Sequence, residues 1–238
     1  MSATRITVLG DHTPSYPTHL EIDAVLARLR EQGFDAGWVE TDAPEAAELG
    51  APGSVDGLWI APGGPYRDVD ALLAAIGRAR AGGVPLLGTC GGYQHIALEL
   101  GAALAGVEDP RHAESDPDAA DPFIAPLDCR VDGERRTVTC TPGTRLAELL
   151  GTEPFAGHFV CGFAPTDAAA EALERAGVRI AARAQDVGAA ALELPGHPFL
   201  MATLFHPQVG TLAGEPLSPL ITAFTDAARR SCGAHAHG

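Results

Sequence analysis

Two rhythms of apolar and polar residues alternate along the first hundred positions. Short β-branched or leucine-rich runs recur at 5–10, 34–40, 55–61 and 84–89. Apolar runs this short predict strands buried on both faces. Between the first two, Leu20, Val25, Leu26 and Leu29 repeat at roughly helical spacing. They begin after Pro17-Thr18 and stop at Gly33, as a helix start and stop should. Residues 69–81 and 92–100 also read as helices, and 43–54 reads as a loop rich in Pro, Ala and Glu. The resulting β-α-β-β-α-β-α succession predicts an α/β fold with a mostly parallel central sheet and helices on both faces.

The second half is less regular. Residues 109–121 are polar and proline-bearing, an ordered surface loop. Strands are expected at 124–131, 136–140, 158–163, 178–183, 189–194 and 199–204, with short helices at 145–150 and 166–176. A last helix opens with Ser218 as N-cap and Pro219 at its first position. Its tail carries His235 and His237, and fraying is expected over about 230–238. No internal repeat and no linker divides the chain, so residues 1–238 are expected to form one domain.

The chain carries 31 acidic and 16 basic residues, a net charge of −15. That balance opposes a nucleic-acid surface, which needs clustered cations, and disfavours an anionic membrane. No apolar stretch is long enough to span a bilayer, and the N-terminus lacks a signal-peptide core. Five cysteines, Cys90, Cys129, Cys140, Cys161 and Cys232, form neither a CxxC pair nor a disulfide framework. No metal site is expected from them, and a reducing, cytoplasmic setting fits them.

The chemistry concentrates at "GTCGGYQH", residues 88–95. It places Cys90 on a turn between a strand and a helix, at the carboxyl end of a parallel strand, where open α/β sheets bind ligands. A nucleophile on such a turn projects its side chain outward from a strained backbone. The positive end of the helix beginning near Gly91 is aimed at Cys90 and is expected to favour its thiolate. The Gly91 N–H can face an oxyanion, and the pair Gly63-Gly64 in "PGGPY" can supply a second donor. His206, in "LFHPQVG", follows another predicted strand and is the natural base. Asp11, Glu114 and Glu193 are acids that folding could bring near it.

"PGGPY", "GTCGGYQ" and "FHPQ" resemble the signatures of class I glutamine amidotransferases, in which a Cys-His-Glu triad hydrolyses glutamine. The resemblance is closer to the amidotransferase domain of CTP synthase. Ala113-Glu114-Ser115-Asp116-Pro117 is similar to the run after that domain's nucleophile, and the likeness extends over about 6–224. It is strongest to free-standing bacterial proteins related to the CTP synthase C-terminal region. The resemblance implies a flavodoxin-like fold and no cofactor. It implies Cys90 as nucleophile, His206 as base, Gly64 and Gly91 as oxyanion hole, and Gln94, Gly63 and Glu114 at the substrate.

Three departures from that pattern bear on function. Gln208 stands where the triad has glutamate. No arginine falls between 155 and 165, where the family's glutamine-holding arginine is expected. The synthetase domain that binds UTP and ATP has no counterpart in these residues, nor is there a GxxxxGK[ST] phosphate loop. A neutral amide can still orient a histidine, as in Cys-His-Asn proteases. The leading expectation is therefore a cysteine hydrolase acting on glutamine or a related amide, with Cys90, His206 and Gln208 in the triad positions. A synthase partner or a homodimer is compatible with it. The alternatives are an inactive module that binds a small molecule or regulates a partner, and another cysteine-dependent reaction on the same scaffold.

Overall fold

A computed structural model describes residues 3–235, without the side chains of 128–132, 234 and 235. Among the described residues nine strands form one sheet, ordered β2-β1-β3-β4-β9-β8-β7-β5-β6. Strands β1 (Arg5–Leu9), β2 (Asp35–Val39), β3 (Gly57–Ile60), β4 (Leu86–Thr89) and β9 (Leu200–Thr203) run parallel. Every residue of β3, β4 and β9 is buried, as a sheet covered on both faces requires.

Two contacts show the covering. Gly57 abuts Phe224 and Ala228 of α6 (Pro219–His235). Ile60, three residues on and so on the opposite face, abuts Gly92 of α3 (Gly91–Ala103). Helices α1 (Pro17–Glu31) and α2 (Val69–Gly82) make the β1–β2 and β3–β4 crossovers.

The expected parallel sheet forms, and an antiparallel wing adds to it. Strands β5 (Ile124–Cys140), β6 (Phe155–Pro165), β7 (Arg179–Ala184) and β8 (Gly188–Glu193) extend it antiparallel. Helices α4 (Arg145–Leu150) and α5 (Asp167–Arg175) connect them. The segments expected as two strands at 124–131 and 136–140 are one strand, β5, carrying two register shifts against β6. The wing curls back: the His206 N–H donates to the His158 carbonyl at 2.9 Å, so β6 lies across the carboxyl end of β9.

The loop at 43–54 contains a short 3-10 turn, Pro44–Ala47. Helix α6 runs to His235, so residues 230–235 are helical; His237 lies outside the described residues. Cys90, Cys140, Cys161 and Cys232 are free thiols, and the side chain of Cys129 is outside the described set.

Candidate active site

Cys90 sits between β4 and α3 with φ 53° and ψ −110°. A non-glycine residue in that region is strained and persists only where its surroundings fix it. Its N–H donates to the Thr203 carbonyl of β9, and its carbonyl accepts from Gln94 N–H in the first turn of α3. Gly91 is required by close approach: a Cβ there would lie 1.8 Å from the Gly63 carbonyl oxygen. Gly63, after β3, has φ 110°, a left-handed conformation suited to glycine. Three adjacent parallel strands, β3, β4 and β9, therefore deliver Gly63, Cys90 and His206 to one end of the sheet.

A cavity of about 650 Å³ opens there, lined in part by Gly63, Gly64, Cys90, Gly91, Gln94, Glu114 and His206. The sequence-predicted residues come together in it, except that Gln208 lies behind His206, away from the lining.

The thiol is not in the state expected. Cys90 is 7% exposed, and burial pushes its pKa up to about 11, although the Gly91 and Gly63 N–H groups work the other way. Desolvation outweighs the helix terminus, and Glu114 adds repulsion. The sulfur donates its proton to the Val160 carbonyl of β6 at 3.1 Å. The donors facing the sulfur are Gly63 and Gly91; Gly64, expected in the oxyanion hole, lines the cavity beside the Glu114 carboxylate.

His206 is 3% exposed and burial holds its pKa down to about 3, so the ring is neutral. Gln208, fully buried, places its Nε2 3.1 Å from His206 Nδ1. The amide nitrogen, not the oxygen, meets the ring. Donation into Nδ1 puts the imidazole proton on Nε2, which faces the Val160 carbonyl without closing a well-formed hydrogen bond. Gln208 Oε1 is likewise buried and unpartnered.

Asp11 and Glu193 are occupied elsewhere. Asp11 accepts from Thr41 N–H at 3.0 Å and Arg67 N–H at 2.7 Å. Glu193 accepts from the Arg145 and Leu146 N–H groups at the start of α4. Glu114 reaches the cavity, but the side chain against His206 Nδ1 is Gln208.

Sequence reasoning missed His112. Glu114 N–H donates to its Nδ1 at 3.1 Å, so its Nε2–H donates to Gln94 Oε1 at 3.1 Å. Gln94 Nε2 in turn donates to the Phe163 carbonyl at 2.8 Å. This relay ties the loop at 109–121, α3 and β6 into one cavity wall. The only hint in the sequence is a histidine two residues before Glu114. Among the described residues no arginine lines the cavity.

The chain matches the model for glutamine amidotransferase class I over residues 22–216 and belongs to that family. CTP synthase of Methanopyrus kandleri is 28% identical over 241 residues, covering 91% of this chain and 44% of that protein. CTP synthase of Rhodococcus jostii is 29% identical over 248 residues, covering 94% and 41%. The chain thus spans less than half the length of these relatives. The glutaminase domain of Trypanosoma brucei CTP synthase, solved with acivicin bound, superposes with a TM-score of 0.77 at 21% identity, covering 96% of this chain and 94% of that one. These relations define a flavodoxin-like class I amidotransferase domain related to the glutaminase domain of CTP synthase.

Proposed function

We propose that this domain is a cysteine hydrolase that cleaves a glutamine-type carboxamide through a Cys90 acyl-enzyme, and that it rests in an unprimed state. The observation that carries the reading is the convergence of a strained Cys90, the Gly63 and Gly91 N–H donors, and His206 on one cavity.

Priming requires two changes. First, rotation of the Gln208 amide by half a turn places Oε1 against Nδ1, and the ring exchanges protons with water entering the cavity, losing the one on Nε2 and gaining one on Nδ1. Oε1 has no partner to give up. His206 Nε2 is left with a lone pair. Second, the Cys90 S–H turns from the Val160 carbonyl to that nitrogen and transfers its proton, and the thiolate attacks the amide carbon. The Gly63 and Gly91 N–H groups receive the oxyanion. The imidazolium returns its proton to the departing nitrogen as ammonia. Water, deprotonated by His206, then opens the thioester to the acid and restores the thiol. No cofactor or metal enters this sequence.

The domain acts as one unit, and its ammonia is available to a synthase partner. Free thiols fit a reducing cytoplasmic setting.

The parked thiol also favours a second reading, a binding module that retains the fold without turnover. Ammonia release from glutamine distinguishes the two. Slow release by the wild type that Cys90→Ala abolishes supports the hydrolase; equal background from both supports the module.

A further inference from the structure

We propose that His19 is a positioning residue that aims the Gly63 N–H at the Cys90 sulfur and at the oxyanion formed there. The proposal rests on the reading of Cys90 as the reacting group.

His19 lies on the inner face of α1 and is 1% exposed. Both ring nitrogens are engaged. Thr13 N–H donates to Nδ1 at 2.9 Å, which leaves the ring proton on Nε2. Nε2–H donates to the Pro62 carbonyl oxygen, also at 2.9 Å. Burial favours the neutral ring, so it offers one acceptor and one donor.

The Pro62 carbonyl and the Gly63 N–H belong to a single peptide unit. That unit is planar, and in the trans form its C=O and N–H point in opposite directions. An anchor on the oxygen therefore sets the direction of the hydrogen on the other side. The anchor is needed because Gly63 is a glycine at φ 110°, outside any strand, with a wide choice of orientation. From the other side, Gly91 closes on the Gly63 carbonyl so tightly that no Cβ fits. The loop is thus held by α1 on one side and by the start of α3 on the other. The His19 ring is itself walled by Tyr16 and Trp38, each with ring centroids 5.2 Å away, and by His12 at 5.7 Å.

The test reads the thiol directly and needs no turnover. Cys90 is alkylated with iodoacetamide at pH 9 and followed by peptide mass spectrometry, with Cys232 in the same sample as reference. Below its pKa the rate tracks the thiolate fraction, so a rise of one unit slows Cys90 about tenfold. His19→Leu removes the donor and is expected to lower the Cys90:Cys232 rate ratio about tenfold. His19→Gln reaches the Nε2 position with an amide N–H and is expected to stay within about threefold of wild type. His19→Asn carries the same amide too short to reach Pro62 and is expected to behave like His19→Leu. Should His19→Leu not fold, the Gln and Asn pair carries the comparison. An unchanged ratio in folded His19→Leu or His19→Asn overturns the proposal. So does a loss in His19→Gln as large as in His19→Asn. A merely structural role would lower the melting temperature and leave the ratio unmoved. Failure of the hydrolase reading would appear separately, in ammonia release.

Discussion

Cys90 Sγ donates to the Val160 carbonyl oxygen at 3.1 Å. The thiol is held by the strand that crosses over it and makes no hydrogen bond to the His206 ring. Burial in this position keeps the sulfur a thiol, and the consequences can be measured.

The first is reactivity. The Cys90 pKa is raised to about 11, so its thiolate is scarce at neutral pH and increases as pH rises towards that value. Cys232 is more exposed. At pH 7.5 iodoacetamide is expected to label Cys232 first, with Cys90 gaining about tenfold per pH unit up to about pH 10. This reverses the order expected from a helix terminus alone. Rapid labelling of Cys90 at pH 7.5 would show that the thiol is already ionised.

Acid stability follows from the buried imidazoles. His206 and His112 each have a folded pKa of about 3 against an ordinary value of 6.5. The unfolded chain binds these protons near pH 6.5 and the folded chain only near 3. Falling pH therefore favours unfolding throughout that window, by about 1.4 kcal/mol per unit for each ring. Urea titrations are expected to show stability dropping from pH 6.5 towards 4. His112→Asn should show a shallower slope. A flat profile over that range would contradict neutral burial of these rings.

Much of this fold is legible in the sequence, for a physical reason. Strands β1, β3, β4 and β9 are buried on both faces, so their apolar runs stand out without any partner. The elbow at Cys90 is legible because close approach there requires glycine at 91 and 92. Strand β5 was not legible as one element. Gly133 has φ 70°, and a glycine in that conformation reads in sequence as a turn, whereas the sheet uses it at the register shift between Asp132 and Glu134. The sign of the Cys90 shift was also hidden. A helix terminus is local, whereas the burial that overrides it depends on the whole fold, including β6 some seventy residues away at Val160. His19 and His112 carry no motif, and only folding brings them to the loops they hold.

The glycines at the elbow give a stability prediction. A Cβ on Gly92 would lie 2.3 Å from the Ile60 carbonyl oxygen, a backbone atom that cannot move aside. Gly92→Ala is expected to cost about 3 kcal/mol. Gly37, in edge strand β2, has nothing within 4 Å of its Cβ position and no positive φ. Gly37→Ala is expected to be stabilising by about 0.5 kcal/mol. Thermal melts of the two variants check this, and similar midpoints would refute the packing argument.

The last prediction concerns Gln208. As it stands, its Nε2 donates to His206 Nδ1 and places the ring proton on Nε2, where a general base must have a lone pair. A carboxylate at this position can only accept at neutral pH. Gln208→Glu therefore forces the proton onto Nδ1, frees Nε2, and raises the imidazole pKa from about 3 by stabilising its cation. Ammonia release from glutamine is expected to increase by tenfold or more, because the priming rotation is no longer needed. Gln208→Ala leaves neither donor nor acceptor at Nδ1, and release is expected to fall below wild type. The same pair separates orientation from recognition. If Gln208→Glu shifts the His206 titration upward by NMR without raising turnover, the limit lies in substrate binding. In that case the absence of an arginine among the described residues lining the cavity is the feature to pursue. If Gln208→Glu leaves the His206 titration unmoved, Gln208 does not control the tautomer and the priming step is wrong.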